Sequence, residues 1–280
     1  METIRIPITM CHGIRCLPDR PRNLTADRFS ALMGLARDLG FATITYDELA
    51  AWRAGEGDLP PRPLMVDFDH PVRSIRREVL PIMERFGFVG NLFINTGPMD
   101  DLYSRPFPPD DEREWMTWEE IGDLVQAGWH IGAHTVTHPN LSELTTQDPT
   151  GERIAWELDT CNATLKRNLG IEPQDFAFTG TSWSSMAERE VMKRYRFGRL
   201  WIINDSYQAD GRPIRYGELA GVPGDTEADG GPPFAARYIT RESHPYRLPS
   251  MELEYLIYEP AAFRRYLVGA LSPDSVGPEQ

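Results

Sequence analysis

Two short stretches hold the residues best suited to chemistry. "VDFDHP", residues 66–71, places two aspartates and a histidine within positions 67–70. "AHTVTHPNL", residues 133–141, carries two histidines four apart. Three neutral imidazoles, those of His70, His134 and His138, make a donor set that can hold a divalent transition metal and leave a position open for water. Such an ion acidifies bound water and polarises a carbonyl. Asp69, beside a candidate ligand, is placed to take the proton from that water. A single helical turn beginning at His134 would bring His138 to the same side, and Pro139 fixes the chain just after. Asp67 is expected on the opposite strand face from Asp69, where it caps a turn or pairs with an arginine such as Arg73.

Blander readings compete. One H-x-x-x-H spacing is weak evidence by itself, and a histidine at a strand end is usually a hydrogen-bonded structural residue. Against this, five polar groups (Asp67, Asp69, His70, His134 and His138) fall at strand ends, and they use three of the six histidines. A rival reads "LMVDFDHPV" as the D-x-D opening of a haloacid dehalogenase-like phosphatase, with Asp67 as nucleophile and Asp69 as acid. "MKRY", residues 192–195, offers its lysine, but no acidic magnesium pair follows a fitting strand, and the histidine pair is left idle. A serine triad lacks its G-x-S-x-G elbow.

The elements that must position these residues alternate. Strand-like runs cover 4–10, 41–46, 62–68, 90–95, 129–134, 175–180 and 200–204. Helical runs cover 24–40, 74–87, 116–128, 150–170, 184–198 and 259–272, with a short one at "YDELAAWRAG". Thr25 is a candidate N-cap, Gly40 a stop, and Thr117 with Glu120 a capping box. A bend is expected at Pro81. Strand–helix alternation implies parallel strands in a wound or barrel-like α/β domain, whose sites form at the C-terminal strand ends. Both motifs lie at such ends. Residues 206–250, rich in Gly and Pro, read as long loops. A single domain over 1–272 with a flexible tail at 273–280 is expected.

The chain has 280 residues and 41% hydrophobic residues, ample for a core. Its net charge of −13 disfavours nucleic acid or an anionic membrane as partner. No apolar run is long enough to span a bilayer. "METIRIPITM" lacks the apolar stretch of a signal peptide, so a cytoplasmic location is expected. Cys11, Cys16 and Cys161 form no zinc or redox spacing and read as reduced thiols.

With these residues in hand, the chain resembles the polysaccharide deacetylase (NodB-homology, carbohydrate esterase 4-like) family. "AHTVTHPNL" is similar to that family's H-[ST]-x-x-H-P metal motif. "VDFDHP" sits where the family has T-F-D-D-G, and "ITMCHGI", residues 8–14, resembles the MYHxI opening of one branch. "LPPRPLMVDFD", "VLPIMERFGFVGNLFINTG" and "MTWEEIGDLVQAGWHIGAHTVTH" continue in order, so the similarity runs over roughly residues 5–180. The resemblance implies an α/β fold, a distorted (β/α) barrel of the polysaccharide deacetylase type. It also implies metal-dependent hydrolysis of an N-acyl group, usually acetyl, from an amino sugar or other small N-acyl compound. The expected cofactor is one divalent transition metal, zinc first, with cobalt, nickel or iron as alternatives. The expected partner is a small-molecule or carbohydrate substrate. Carried over, Asp69 matches the catalytic base, His134 and His138 the two metal histidines, and His70 falls on the family's metal-binding aspartate.

Three departures follow. His70 makes a three-histidine site of lower charge. "FAFTGTSW", residues 176–183, lacks the arginine that would orient Asp69. "YRLPSMEL", residues 246–253, puts Ser250 where the related branch has the arginine of L-P-R, with Arg247 as a candidate substitute. No late leucine-x-histidine motif supplies an acid. His244 is the late histidine available, and His12 is a candidate pocket residue. Two alternatives stay open: a diverged member acting on another C–N bond at the same metal, and an inactive binding protein.

Overall fold

The computed structural model describes residues 4–14, 23–99 and 114–271. In chain order the regular elements are β1 (Ile6–Cys11), α1 (Ala26–Asp38), β2 (Ala42–Thr43), α2 (Tyr46–Ala54), β3 (Pro63–Asp69), α3 (Leu80–Phe86), β4 (Asn91–Ile94), α4 (Trp118–Gln126), β5 (His130–Ala133), α5 (Leu141–Gln147), α6 (Glu152–Leu169), β6 (Asp175–Ala177), β7 (Ser182–Trp183), α7 (Ser185–Met192), β8 (Phe197–Arg199), β9 (Ser206–Ala209), β10 (Arg212–Arg215), α8 (Tyr216–Leu219), β11 (Tyr238–Ile239), β12 (Met251–Glu252) and α9 (Pro260–Leu271). The main sheet runs β11-β1-β3-β4-β5-β6-β8, parallel from β1 to β8, with β2 beside β3 and β12 beside β1. Residues 248–253 stitch its two edges together. Leu200 and Ile202 donate backbone N–H groups to Leu248 and Ser250 on one side, and Leu253 donates to Met10 on the other. The sheet therefore curls into a distorted (β/α) barrel.

Period-two alternation sorts the strand side chains. Leu64, Val66 and Phe68 of β3, Leu92 and Ile94 of β4, and Ile131 and Ala133 of β5 pack with α1, α4 and α6 in the outer core. Met65, Phe93, Ala177 and Phe197 belong to a second, inner cluster with Ile6, Ile8, Tyr46 and Leu248. Asp67 and Asp69 are two and four positions from Met65, so they share its inward face. This corrects the expectation that Asp67 turns away from Asp69. Gly132 is required at its place in β5, because a Cβ there would lie 2.4 Å from the Phe93 ring.

The capping expectations hold. Thr25 caps α1, Gly40 stands in the left-handed region at φ +77°, and Thr117 with Glu120 forms the capping box of α4. Pro81 acts differently from the expected mid-helix bend. It sits in the first turn of α3, and the turn before it, Ile75–Val79, widens to π-helix, with Leu80 N–H reaching Ile75 O. Proline has no N–H, and its ring crowds the carbonyl four residues back, so the wider turn relieves the conflict. Residues 206–250 are more ordered than loops. β9 and β10 form a hairpin closed by Asp210-Gly211, both at positive φ (48° and 76°), and β9 also pairs with β7. Asp-Gly between two strands is the favoured two-residue turn, a signal the loop reading passed over. No described helix is long and apolar enough to cross a membrane. Cys11 and Cys161 are buried. Cys16 and the tail at 273–280 lie outside the described residues.

Candidate metal centre

His70 follows β3 directly and His134 follows β5 directly. Each is pinned by a backbone N–H donated to the neighbouring strand, His70 to Phe93 O and His134 to Ile94 O, both 3.0 Å. The loop carrying His138 is a bend and not the expected helical turn. Thr135 and His138 both take positive φ (69° and 56°), as does His70 (69°). Such conformations cost about 1–3 kcal/mol each for residues with side chains, and persist where the surroundings over-determine them. Here Glu157 from α6 accepts hydrogen bonds from the N–H groups of Val136 and Thr137 and from the Thr137 hydroxyl. Thr135 Oγ1 accepts from His138 N, and Asn140 then caps α5.

The three imidazoles converge. Ring centroids lie 5.2 Å apart for His70 and His134, and 4.8 Å for each with His138. One ring nitrogen of each lies within 4.8 Å of the other two. His134 Nδ1 is 2.8 Å from Ala177 O, a pure acceptor, so Nδ1 carries the proton and the lone pair is on Nε2. His70 Nδ1 is 2.7 Å from Asn95 Oδ1, which leaves Nε2 in the same state. These outer partners fix ring orientation as they do around protein-bound metals. Burial lowers His70 well below the ordinary histidine range, helped by the neighbouring His138, His134 and His12. Burial likewise brings His134 down to about 4, against the pull of Asp69. Both rings are therefore neutral near pH 7, the form that binds metal. His134 Nε2 is buried without a hydrogen-bond partner, as a donor directed at an ion would be.

Asp69 Oδ2 faces His134 Nε2 at 3.9 Å, and its Oδ1 accepts from Arg199 Nη2. Arg199, fully buried on β8, also lies with Nε 3.4 Å from Asp67 Oδ2 and stacks its guanidinium 4.9 Å from the Phe93 ring centre. The arginine that sequence comparison found missing is thus present on a later strand. Its signal was legible: an arginine two positions from Phe197 in "FGRLW" shares an inward strand face and must find carboxylates there. The expected helix at 184–198 and strand at 200–204 left Arg199 between them, whereas α7 ends at Met192 and β8 is Phe197–Arg199. Asp67 accepts from Tyr46 Oη (2.7 Å) and Asn91 Nδ2 (3.1 Å). Arg73, its expected partner, instead bridges Glu114 and Glu120. Burial pushes Asp67 up to about 7 even against Arg199. Burial would raise Asp69 too, but Arg199 and then His134 outweigh it and hold that carboxyl below its ordinary value.

His12, just past β1, stacks on His70 with centroids 5.3 Å apart and meets Trp201 edge-on at 5.4 Å. Its Nδ1 lies 3.5 Å from Glu252 Oε1, while Glu252 Oε2 accepts from Trp201 Nε1 at 2.5 Å. The structure thus brings His12 to the cluster. It does not bring His244 or Arg247 there. Arg247 pairs with Glu188, donates to Leu219 O and stacks on Trp183, and so does not substitute for an arginine on Asp69. His244 accepts from Tyr246 N. Trp201 and Glu252 were missed, since neither belongs to a motif.

The polysaccharide deacetylase family model matches residues 56–197. The chain belongs to the polysaccharide deacetylase family. No curated protein sequence matches it. Among solved structures, the fold is similar to the Streptococcus pyogenes deacetylase PplD in complex with acetate, at 14% identity and a TM-score of 0.68, covering 97% of this chain and 100% of that one. IcaB from Ammonifex degensii matches at 17% identity and a TM-score of 0.65, over 97% and 99% of the two chains. The BpsB deacetylase domain from Bordetella bronchiseptica matches at 17% and 0.60, over 90% and 96%. At these identities the structural likeness establishes the fold, a deacetylase-type distorted barrel.

Proposed function

We propose that the chain is a metal-dependent hydrolase that removes an acetyl-type N-acyl group from an amino sugar or another small N-acyl compound. The observation that carries this is the cluster of three imidazoles, with Asp69 Oδ2 facing His134 within it. His70, His134 and His138 would hold one divalent transition ion, which suits imidazole donors better than magnesium does. Zinc is the first candidate, with cobalt, nickel or iron as alternatives. When bound, such an ion acidifies water and polarises the acyl carbonyl. Asp69 accepts the water's proton at Oδ2, while Arg199 keeps Oδ1 occupied. His12, stacked on His70 with Nδ1 toward Glu252, returns a proton to the departing amine from its other nitrogen. Trp201 walls that side of the site.

Metal analysis of purified protein, followed by acetate release from N-acetylated glucosamine oligosaccharides and smaller N-acyl compounds, tests the reading. About one transition metal per chain and released acetate are expected. Metal without release of any acyl group would point to a different C–N bond. Absence of metal under saturating zinc would refute the site.

A further inference from the structure

Arginine normally presents the Nε–Nη2 edge of its guanidinium as a fork that closes on both oxygens of one carboxylate. Arg199 does not. That edge is divided between two aspartates, with Nε toward Asp67 Oδ2 at 3.4 Å and Nη2 on Asp69 Oδ1. All three side chains are buried, so water does not take the place of a missing partner. Asp67 is itself held from two elements. Tyr46 on α2 donates to its Oδ2, and Asn91 on β4 donates to its Oδ1 and to Ile44 O. The Phe93 ring lies beneath the guanidinium and fixes its plane. As a result, Asp69 spends one oxygen on Arg199 and directs the other toward His134 of the cluster.

We infer that Asp67 is a positioning residue that splits the arginine fork. By holding Nε through charge at 3.4 Å, without a hydrogen bond, it draws Arg199 away from closing on both oxygens of Asp69, and so keeps Oδ2 available as proton acceptor. The inference rests on the deacetylase reading for its catalytic consequence, but the geometric claim stands apart from it. The partners of Asp67 are Tyr46, Asn91 and Arg199, not the candidate ligands. It acts through Arg199. Without Asp67, the attraction that draws a guanidinium into two parallel hydrogen bonds with one carboxylate is unopposed, and the base loses its free oxygen.

Two experiments on the full chain test this. Crystal structures of the wild type and Asp67→Asn read the fork directly. Asparagine keeps the shape and removes the charge, so Nε and Nη2 should both settle on Asp69. Arg199 still bonded to Oδ1 alone would overturn the inference, whatever the substrate proves to be. Kinetics with an N-acetylglucosamine tetramer and zinc-loaded protein give the second reading. Asp67→Asn should lower kcat by roughly tenfold or more, the low end of general-base effects, with KM and zinc content unchanged. Adding Arg199→Lys should recover part of the loss, because an ammonium is a point charge that cannot grip two oxygens as a fork. A double variant no more active than Asp67→Asn would contradict the mechanism, since a purely structural role for Asp67 gives no reason for rescue. Should Asp67→Asn fail to fold, Tyr46→Phe loosens Asp67 more gently and should show the same split between kcat and KM. If the wild type releases no acetate, the functional reading fails, and the crystal structures alone decide the fork.

Discussion

Replacing Arg199 with methionine removes the guanidinium that faces Asp67 and Asp69 and leaves the two carboxylates with each other inside the barrel. Breaking a buried ion pair by deleting one partner costs about 3–5 kcal/mol. For a chain of this size that corresponds to a fall in melting temperature on the order of 10 °C. The loss should depend on pH. In the wild type, burial already raises Asp67 to about 7, so its folded form binds a proton more tightly than its unfolded form does. A group shifted in this direction adds stability that is complete below the ordinary carboxylate range and is lost as pH rises through about 7. Without Arg199, Asp67 shifts further up and Asp69 loses the attraction that holds it below its ordinary value. The deficit of Arg199→Met against wild type should therefore be larger at pH 8 than at pH 5.5. Thermal unfolding of the two proteins across that range measures it. Arg73→Met, which removes a largely surface arginine from Glu114 and Glu120, is the control and should leave the melting temperature nearly unchanged. A deficit under about 1 kcal/mol, the scale of a surface pair, or one that does not grow with pH, would refute the buried triad.

Other outcomes follow from the same geometry. His134→Ala or His138→Ala should abolish stoichiometric metal binding, read by metal analysis after dialysis. His70→Ala should weaken it, while His70→Asp, which keeps a ligand at that position, should retain the metal with altered preference among ions. Asp69→Asn should keep the metal while turnover falls by roughly a hundredfold or more; unchanged acetate release would remove Asp69 as the base. At the far end of the barrel, His130 lies against Asp175 and Asp47, whose hydrogen bonds outweigh burial and raise it to about 9. A histidine raised in the folded state adds stability that is complete below pH ~6.5 and lost as pH rises through about 9. The wild-type melting temperature should decline across that window, and His130→Gln should flatten the decline.

How far the sequence reached depends on which signals were local. The order of the elements, the capping box of α4 and the placement of His70 and His134 at strand ends were readable, because each rests on neighbours within a few residues. Three readings went astray where the deciding partner lay far along the chain. Asp67 was sent to the wrong face although strand period alone places it with Asp69, and its partners Tyr46, Asn91 and Arg199 come from three other elements. Arg199 went unnoticed because the related motif holds its arginine earlier in the chain. Trp201 and Glu252 reach His12 through residues 248–253 stitching one sheet edge to the other. That closure has no signature in composition or periodicity.

The charges around the barrel bear on whether three imidazole ligands would suffice for the proposed metal. At the closed end, protonated His130 and Arg196 face Asp47 and Asp175, two cations against two carboxylates. At the open end the count differs. Asp67, Asp69 and Glu252 are buried carboxylates around the histidines, and Arg199 is the guanidinium set against them. Three negative charges less one positive leave two negative charges when all are ionised. A dication among His70, His134 and His138 would complete that balance without any carboxylate in its own coordination shell. Buried charge left unpaired is costly, so this arrangement favours a cation at the cluster over an empty one. A carboxylate beside an ion also stays a base, whereas a carboxylate bonded to it gives up that lone pair. Substituting histidine at position 70 and holding the negative charge one layer back on Asp67 and Asp69 therefore separates two tasks. On the proposed reading, the imidazoles would bind the ion, and the aspartates would balance its charge while Oδ2 of Asp69 remained free to accept a proton.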